Sequence, residues 1–192
     1  MEIQQHIPRP VFTPTHKLVD PSHPILNQPP DKFDFANPQM DPIELSELLV
    51  KHMQHFGGIG LSATQLGLPY KVFCMVGEPM HVCFNPIITG VGDEINMLDE
   101  GCLSWPGLYL KIKRPAAIRV RFHDYNGELV VKKFAGMSAR VFQHEYEHLL
   151  GEHFIDHVSR LALARAREKQ TKVLKKVRRQ LRDANKKVKK IR

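Results

Sequence analysis

Apolar residues in the first forty positions follow no regular period, and proline is frequent among them. That pattern predicts an extended arm and loops packed on the surface, with His23-Pro24-Ile25-Leu26 as a docking point. The pattern changes at Asp41. Leu45, Leu48, Leu49, His52, Met53 and Phe56 recur at helical spacing, which predicts an N-terminal helix. Asp41 suits its N-cap, Pro42 its first position and Glu44 its third, and Gly57-Gly58 stops it. His52 and His55 belong to this helix and its packing.

Short apolar runs then predict strands at Lys71–Val76, His81–Asn85, Leu108–Ile112 and Ile118–Phe122. Tyr125-Asn126-Gly127-Glu128 predicts a type I′ hairpin turn, because Asn-Gly tolerates left-handed backbone, and Leu129–Phe134 returns as the partner strand. Helical spacing resumes over residues 138–150, with Ser138 as N-cap and Gly151 as stop. Val141, His144, His148 and Leu149 share its broad face. A last helix is expected near the C-terminus, where Val173, Val177, Leu181, Ala184, Val188 and Ile191 form a narrow apolar stripe.

Charge divides the chain unevenly. Residues 160–192 hold 15 Lys and Arg against Glu168 and Asp183, so the rest of this +8 chain is net negative. We therefore expect two units, a body of residues 1–159 and a basic amphipathic helix over 160–192. Lys172, Lys175, Lys176, Arg178, Arg179, Arg182, Lys186 and Lys187 are its candidate polyanion contacts, since clustered cations neutralise phosphates and release counterions. No aromatic residue lies there to stack on bases or anchor at a membrane surface. The three cysteines form no even disulfide set, and Cys74 and Cys83 sit in apolar runs as small buried hydrophobes. No signal peptide and no run near the ~20 apolar residues of a membrane span is evident, so a cytoplasmic protein with reduced thiols is expected; a monomer is expected as well.

The chemistry is concentrated at Gln143-His144-Glu145-Tyr146-Glu147-His148. Histidines at i and i+4 lie one turn apart on one helix face and can share a metal ion, with a nearby carboxylate moving protons. A zinc peptidase with a third histidine six positions after His148 is disfavoured: that position is Phe154, and His153 comes one too early. A distant glutamate such as Glu152 remains open as a third ligand. Cys102, in Glu100-Gly101-Cys102-Leu103-Ser104, offers a thiolate instead. With His144 and His148 it would leave a fourth position open for water, as in a catalytic site. Gly58-Ile59-Gly60-Leu61-Ser62-Ala63-Thr64-Gln65 reads as a Gly-rich loop whose backbone approaches a substrate closely.

These three blocks, in this order, resemble the motifs of the peptide deformylases, over about residues 19–160. The resemblance implies removal of the formyl group from the N-formylmethionine of nascent polypeptides, with release of formate. It implies an α+β fold of antiparallel strands around a central metal-binding HExxH helix, with an N-terminal helix and a basic C-terminal helix. It implies one divalent ion on Cys102, His144 and His148, ferrous iron natively, with zinc, nickel or cobalt able to substitute. Glu145 would be the acid-base group, and Gln65 and the Leu103 N–H would stabilise the developing oxyanion. Ile59, Gly60 and Gly101 would bind the substrate backbone, with Ile59 and Val141 forming the methionine pocket. The basic helix would dock on the ribosome near the nascent-chain exit. Two departures stand out. Glu147 replaces a usual aspartate, and spacing alone does not choose between it and Glu145 as the catalytic acid. Trp105–Tyr109 lacks an arginine found there in many relatives. Two other readings are a zinc peptidase, for which Cys102 would be dispensable, and a non-catalytic ribosome- or RNA-binding protein, which would lose all function without residues 160–192.

Overall fold

The N-terminal helix forms where its signals place it. α1 spans Pro42–His55, and the Asp41 carboxylate accepts hydrogen bonds from the N–H groups of Ile43 and Glu44. Gly57 closes the helix with φ +69°, and the Gly58 N–H returns to the Met53 carbonyl. In this computed structural model, residues 13–191 are described, with side chains through Asp183. Residues 1–12 of the expected arm, and the side chains of Ala184, Lys186, Lys187, Val188 and Ile191, lie outside the described residues.

The fold is α+β, with antiparallel strands and, among the described residues, three α-helices. β1 (Gly60–Ser62), β2 (Val72–Met75), β3 (His81–Val91), β6 (Ala117–His123) and β7 (Leu129–Ala135) form one sheet in the order β1-β2-β3-β6-β7. β4 (Ile95–Cys102) and β5 (Trp105–Pro115) form a separate hairpin. α2 (Gly136–His148) packs on both sheets, and α3 (Arg160–Ile191) packs along β5.

Several local expectations change. Part of the Gly-rich segment is strand, not loop, because Gly60–Ser62 pairs with Phe73–Met75. β3 runs on to Val91, through bulges around Pro86 and Thr89 that hide its alternation. β4 was not expected, since Ile95, Met97 and Leu98 are all exposed and show no inward-outward period. The Asn-Gly turn is not type I′: left-handed φ occurs at Gly127 but not at Asn126. Asp124 imposes this form, its carboxylate accepting from the N–H groups of Asn126 and Glu128. α2 begins at Gly136 rather than at Ser138 and has no side-chain N-cap. It ends at His148, with Gly151 at φ +74° just beyond.

Three apolar clusters hold these layers. Phe73, Phe122, Phe134 and Phe142 join the large sheet to α2. Leu45, Leu49 and Met53 set α1 on Leu61, Val72 and Phe84. Cys102, Trp105, Leu108, Leu110, Ile112 and Phe154 fill the space under the hairpin. The described part of the arm contributes to the core rather than only covering it. Leu26 is fully buried, Phe33 is nearly so, and the Asn85 side chain exchanges two hydrogen bonds with the Phe33 backbone. His52, buried on α1, accepts a hydrogen bond from the His16 N–H and bonds the Leu48 carbonyl. Leu26→Ala is expected to cost about 2–5 kcal/mol by urea denaturation, the range for a buried leucine truncated without collapse of its site. A change below about 0.5 kcal/mol would show that the arm does not contribute to the core in solution.

Candidate active site

The site forms where the end of the β4–β5 hairpin meets α2. β4 carries Glu100, Gly101 and Cys102 in series, so strand alternation turns Glu100 and Cys102 to one face. Both are buried. α2 faces them with His144 and His148, whose rings lie 5.3 Å apart, edge to face. The Cys102 sulfur is 3.2 Å from His148 Nε2. Ligating atoms of Cys102, His144 and His148 all lie within 4.8 Å of one another, and no other such trio occurs among the described residues. Three donor atoms gathered this closely suit a shared ion at bonds of ~2.0–2.3 Å.

A buried charge network fixes the trio. Arg114 of β5 holds Glu100 through two bonds, Nε at 2.6 Å and Nη2 at 2.9 Å. Its other side grips Glu147 of α2, Nη2 at 2.8 Å and Nη1 closer still. Arg140 of α2 reaches Glu100 at 2.5 Å and the carbonyls of Ile112 and Asn96. Glu100 in turn meets His144 Nδ1 at 3.1 Å, which leaves Nε2 as the nitrogen available to a ligand. Burial would raise the Glu100 carboxyl, but bonds from His144 and Arg114 outweigh it and hold it at about 2. Burial holds His148 well below the ordinary imidazole range, the neutral form that binds metal. Trp105 lies parallel to the His148 ring at 6.4 Å.

A cavity of ≈ 480 Å³ opens over this cluster. Ile59, Gly60, Gln65, Gly101, Cys102, Leu103, Val141, His144 and Glu145 all line it, and His148 sits behind Cys102. The two candidate acids separate clearly. Glu145 lines the cavity, its Oε2 has no hydrogen-bond partner, and burial pushes its carboxyl up to about 7 against the pull of His144 and Arg114. Glu147 lies outside the cavity, held by Arg114 and by His157 at 2.7 Å. The glycines have a steric reason. A Cβ on Gly60 would collide with the Glu145 carboxylate, and one on Gly58 would stand 2.7 Å from Leu103 Cδ1. Gln65 is oriented by accepting from the Ser62 N–H at 2.9 Å, so its amide nitrogen points to Ser104 Oγ at 3.0 Å and the Cys102 sulfur at 3.4 Å.

The family model described as polypeptide deformylase matches residues 15–164. A peptide deformylase of Thermotoga petrophila is 38% identical over 134 residues, 69% of this chain and 78% of that protein. One of Maricaulis maris is 36% identical over 163 residues, 81% of this chain and 90% of that protein. The crystal structure of a peptide deformylase from Synechococcus elongatus in complex with actinonin superposes with TM-score 0.78 at 30% identity, covering 84% of this chain and 90% of that one. The chain belongs to the peptide deformylase family.

Peptide deformylases are metalloenzymes, and Cys102, His144 and His148 form a possible site for an ion. Among the described residues no carboxylate or third histidine joins His144 and His148 in place of Cys102: His153 bonds Asn27, Phe154 is buried in the cluster with Trp105, and Glu152 is exposed. Sequence reasoning missed Arg114 and Arg140 in this deformylase. The clue to Arg114 was parity, since it follows Leu108, Leu110 and Ile112 at alternate, inward positions of β5. Arg140 precedes His144 by one helical turn. An arginine does line the cleft, but it comes from α2 and is committed to Glu100. The tail cations Lys172, Lys175, Lys176, Arg178, Arg179 and Arg182 are exposed along α3, with Lys172 paired to Glu168.

Arg114→Leu leaves two buried carboxylates without their shared partner and is expected to cost about 3–5 kcal/mol in chemical denaturation. Unchanged stability would mean that the network is not formed in solution. Gly60→Ala is expected to abolish turnover while the protein stays folded, and near-normal activity would show that Glu145 does not occupy the observed position.

Proposed function

We propose that this chain hydrolyses the formyl group from the N-formylmethionine of nascent polypeptides, releasing formate, with one divalent ion held by Cys102, His144 and His148. The observation that carries this reading is the convergence of one thiol and two imidazoles beneath a cleft where the buried Glu145 carboxylate has an unpartnered oxygen. A bound ion would supply Lewis acidity and lower the pKa of water to ~7. Ferrous iron is the proposed native ion; a thiolate with two imidazoles also suits zinc, nickel or cobalt.

The remaining steps belong to side chains and backbone of the cleft. Glu145 takes a proton from the attacking water and delivers it to the departing amine, a transfer suited to a carboxyl whose burial raises its proton affinity. Gln65, fixed by the Ser62 N–H, presents its amide to the oxygen that gains charge, together with the Leu103 N–H. The backbone near Ile59, Gly60 and Gly101 bonds an extended peptide, a mode that accepts many sequences. Ile59 and Val141 provide the apolar pocket that reads methionine. Glu147 takes no part in proton transfer, because its oxygens are committed to Arg114 and His157.

Residues 1–159 carry this chemistry, and residues 160–192 dock a monomeric, cytoplasmic enzyme on the ribosome through Lys172, Lys175, Lys176, Arg178, Arg179, Arg182, Lys186 and Lys187. The excess of exposed cations on α3 supports this reading. No helix among the described residues is long and apolar enough to cross a membrane.

Glu145→Gln is expected to retain one metal ion per chain while formate release falls by roughly 10²–10⁴. Loss of the ion as well would make Glu145 a structural residue. Reversing Arg178, Arg179 and Arg182 to glutamate should weaken co-sedimentation with ribosomes and flatten its salt dependence, since each lost phosphate contact removes roughly 0.7–0.9 from the slope. Unchanged co-sedimentation would remove the tail from the interface.

A further inference from the structure

The pairing of β4 with β5 jumps from Gly101 opposite Tyr109 to Cys102 opposite Trp105. Pro106, Gly107 and Leu108 therefore bulge from β5 without partners on β4, and their backbone groups must be satisfied elsewhere. α3 meets this bulge from outside. The Gln170 amide nitrogen donates to the Pro106 carbonyl at 2.9 Å. Gly107 stands at φ +75°, and Leu174 Cδ2 lies 3.7 Å from where its Cβ would be. One and two turns earlier, Ala166 and Leu163 pack on the apolar cluster that contains Cys102, Trp105 and Leu108. These four helical positions share one face. The same bulge lines the substrate cavity from within, with Leu108 buried and Pro106 exposed at its rim. A single three-residue segment thus separates α3 from the cleft.

We propose that Gln170 and Leu174 are positioning residues for substrate binding, and that the first half of α3 is the outer layer of the cleft wall. The bulge has no sheet partner to set its height, so α3 sets it, and peptide residues that reach the rim feel the result. The working boundary between catalytic body and projecting basic segment then falls inside α3, just past Leu174, rather than at residue 160. This inference rests on the deformylase reading.

The test uses full-length, metal-loaded protein and the substrate formyl-Met-Ala-Ser. Gln170→Glu keeps the side-chain size but replaces the donor with an acceptor facing the Pro106 carbonyl. Gln170→Lys restores a donor. KM is expected to rise about threefold to tenfold in Gln170→Glu, the scale of one lost hydrogen bond, with kcat within about twofold and metal content unchanged. Gln170→Lys is expected to stay near wild type, and Leu174→Ala to raise KM in the same sense. A wild-type KM in Gln170→Glu, or equal losses in Gln170→Glu and Gln170→Lys, would overturn the proposal. If wild type itself released no formate with metal bound, the deformylase reading would fail first, and the proposal with it.

Discussion

The structure depends on the bridge that Arg114 makes between Glu100 and Glu147. Glu100 belongs to the β4–β5 hairpin and Glu147 to α2, so one guanidinium joins the two elements that carry Cys102 and the histidines. Arg140 adds a second guanidinium on Glu100, so this network buries two arginines with two carboxylates, Glu100 and Glu147. A buried network of this kind gains little over apolar packing, but it costs several kcal/mol when one member is lost. It favours one relative placement of hairpin and helix, and a metal centre needs that uniqueness more than it needs added stability.

The same network sorts the carboxylates into roles. Glu100 is pinned by arginines and turned onto His144, which fixes the ring's orientation. Glu147 is saturated by Arg114 and His157. Glu145, between them in sequence, turns instead to the cleft and keeps an unpartnered oxygen there, with its proton affinity raised by burial. Three acids within one fold thus differ because of what surrounds each of them. The glycine of β1 belongs to this arrangement, since Gly60 leaves room for Glu145 where any side chain would collide with it.

Much of this was legible in the sequence where the signal is local. Asp41, Pro42 and Gly57 announce α1, and the spacing of His144 and His148 announces a shared face. The expected cleft residues from Ile59 to Glu145 do gather around one cavity. What stayed hidden depends on tertiary contacts. β4 shows no alternation because its apolar residues are exposed. Spacing alone does not separate Glu145 from Glu147, and only the HExxH precedent favours Glu145; that Glu147 is engaged by Arg114 and His157 depends on tertiary contacts. The Asn-Gly turn departs from the type I′ form that the pair favours because Asp124, two residues before it, caps the turn with its side chain. Charge marks the basic tail as a unit of its own, and the packing of Leu163 and Ala166 on the apolar cluster with Cys102 and Trp105 is a tertiary contact that charge does not reveal.

The central claim is that Cys102, His144 and His148 together hold the ion on which deformylation depends. The most direct measurement is formate release from formyl-Met-Ala-Ser by protein purified anaerobically with ferrous iron, beside Cys102→Ala treated identically, with metal content determined for both. The expected result is formate and one ion per chain for wild type, and neither for Cys102→Ala. A Cys102→Ala protein that keeps its ion and its turnover would contradict the three-ligand site.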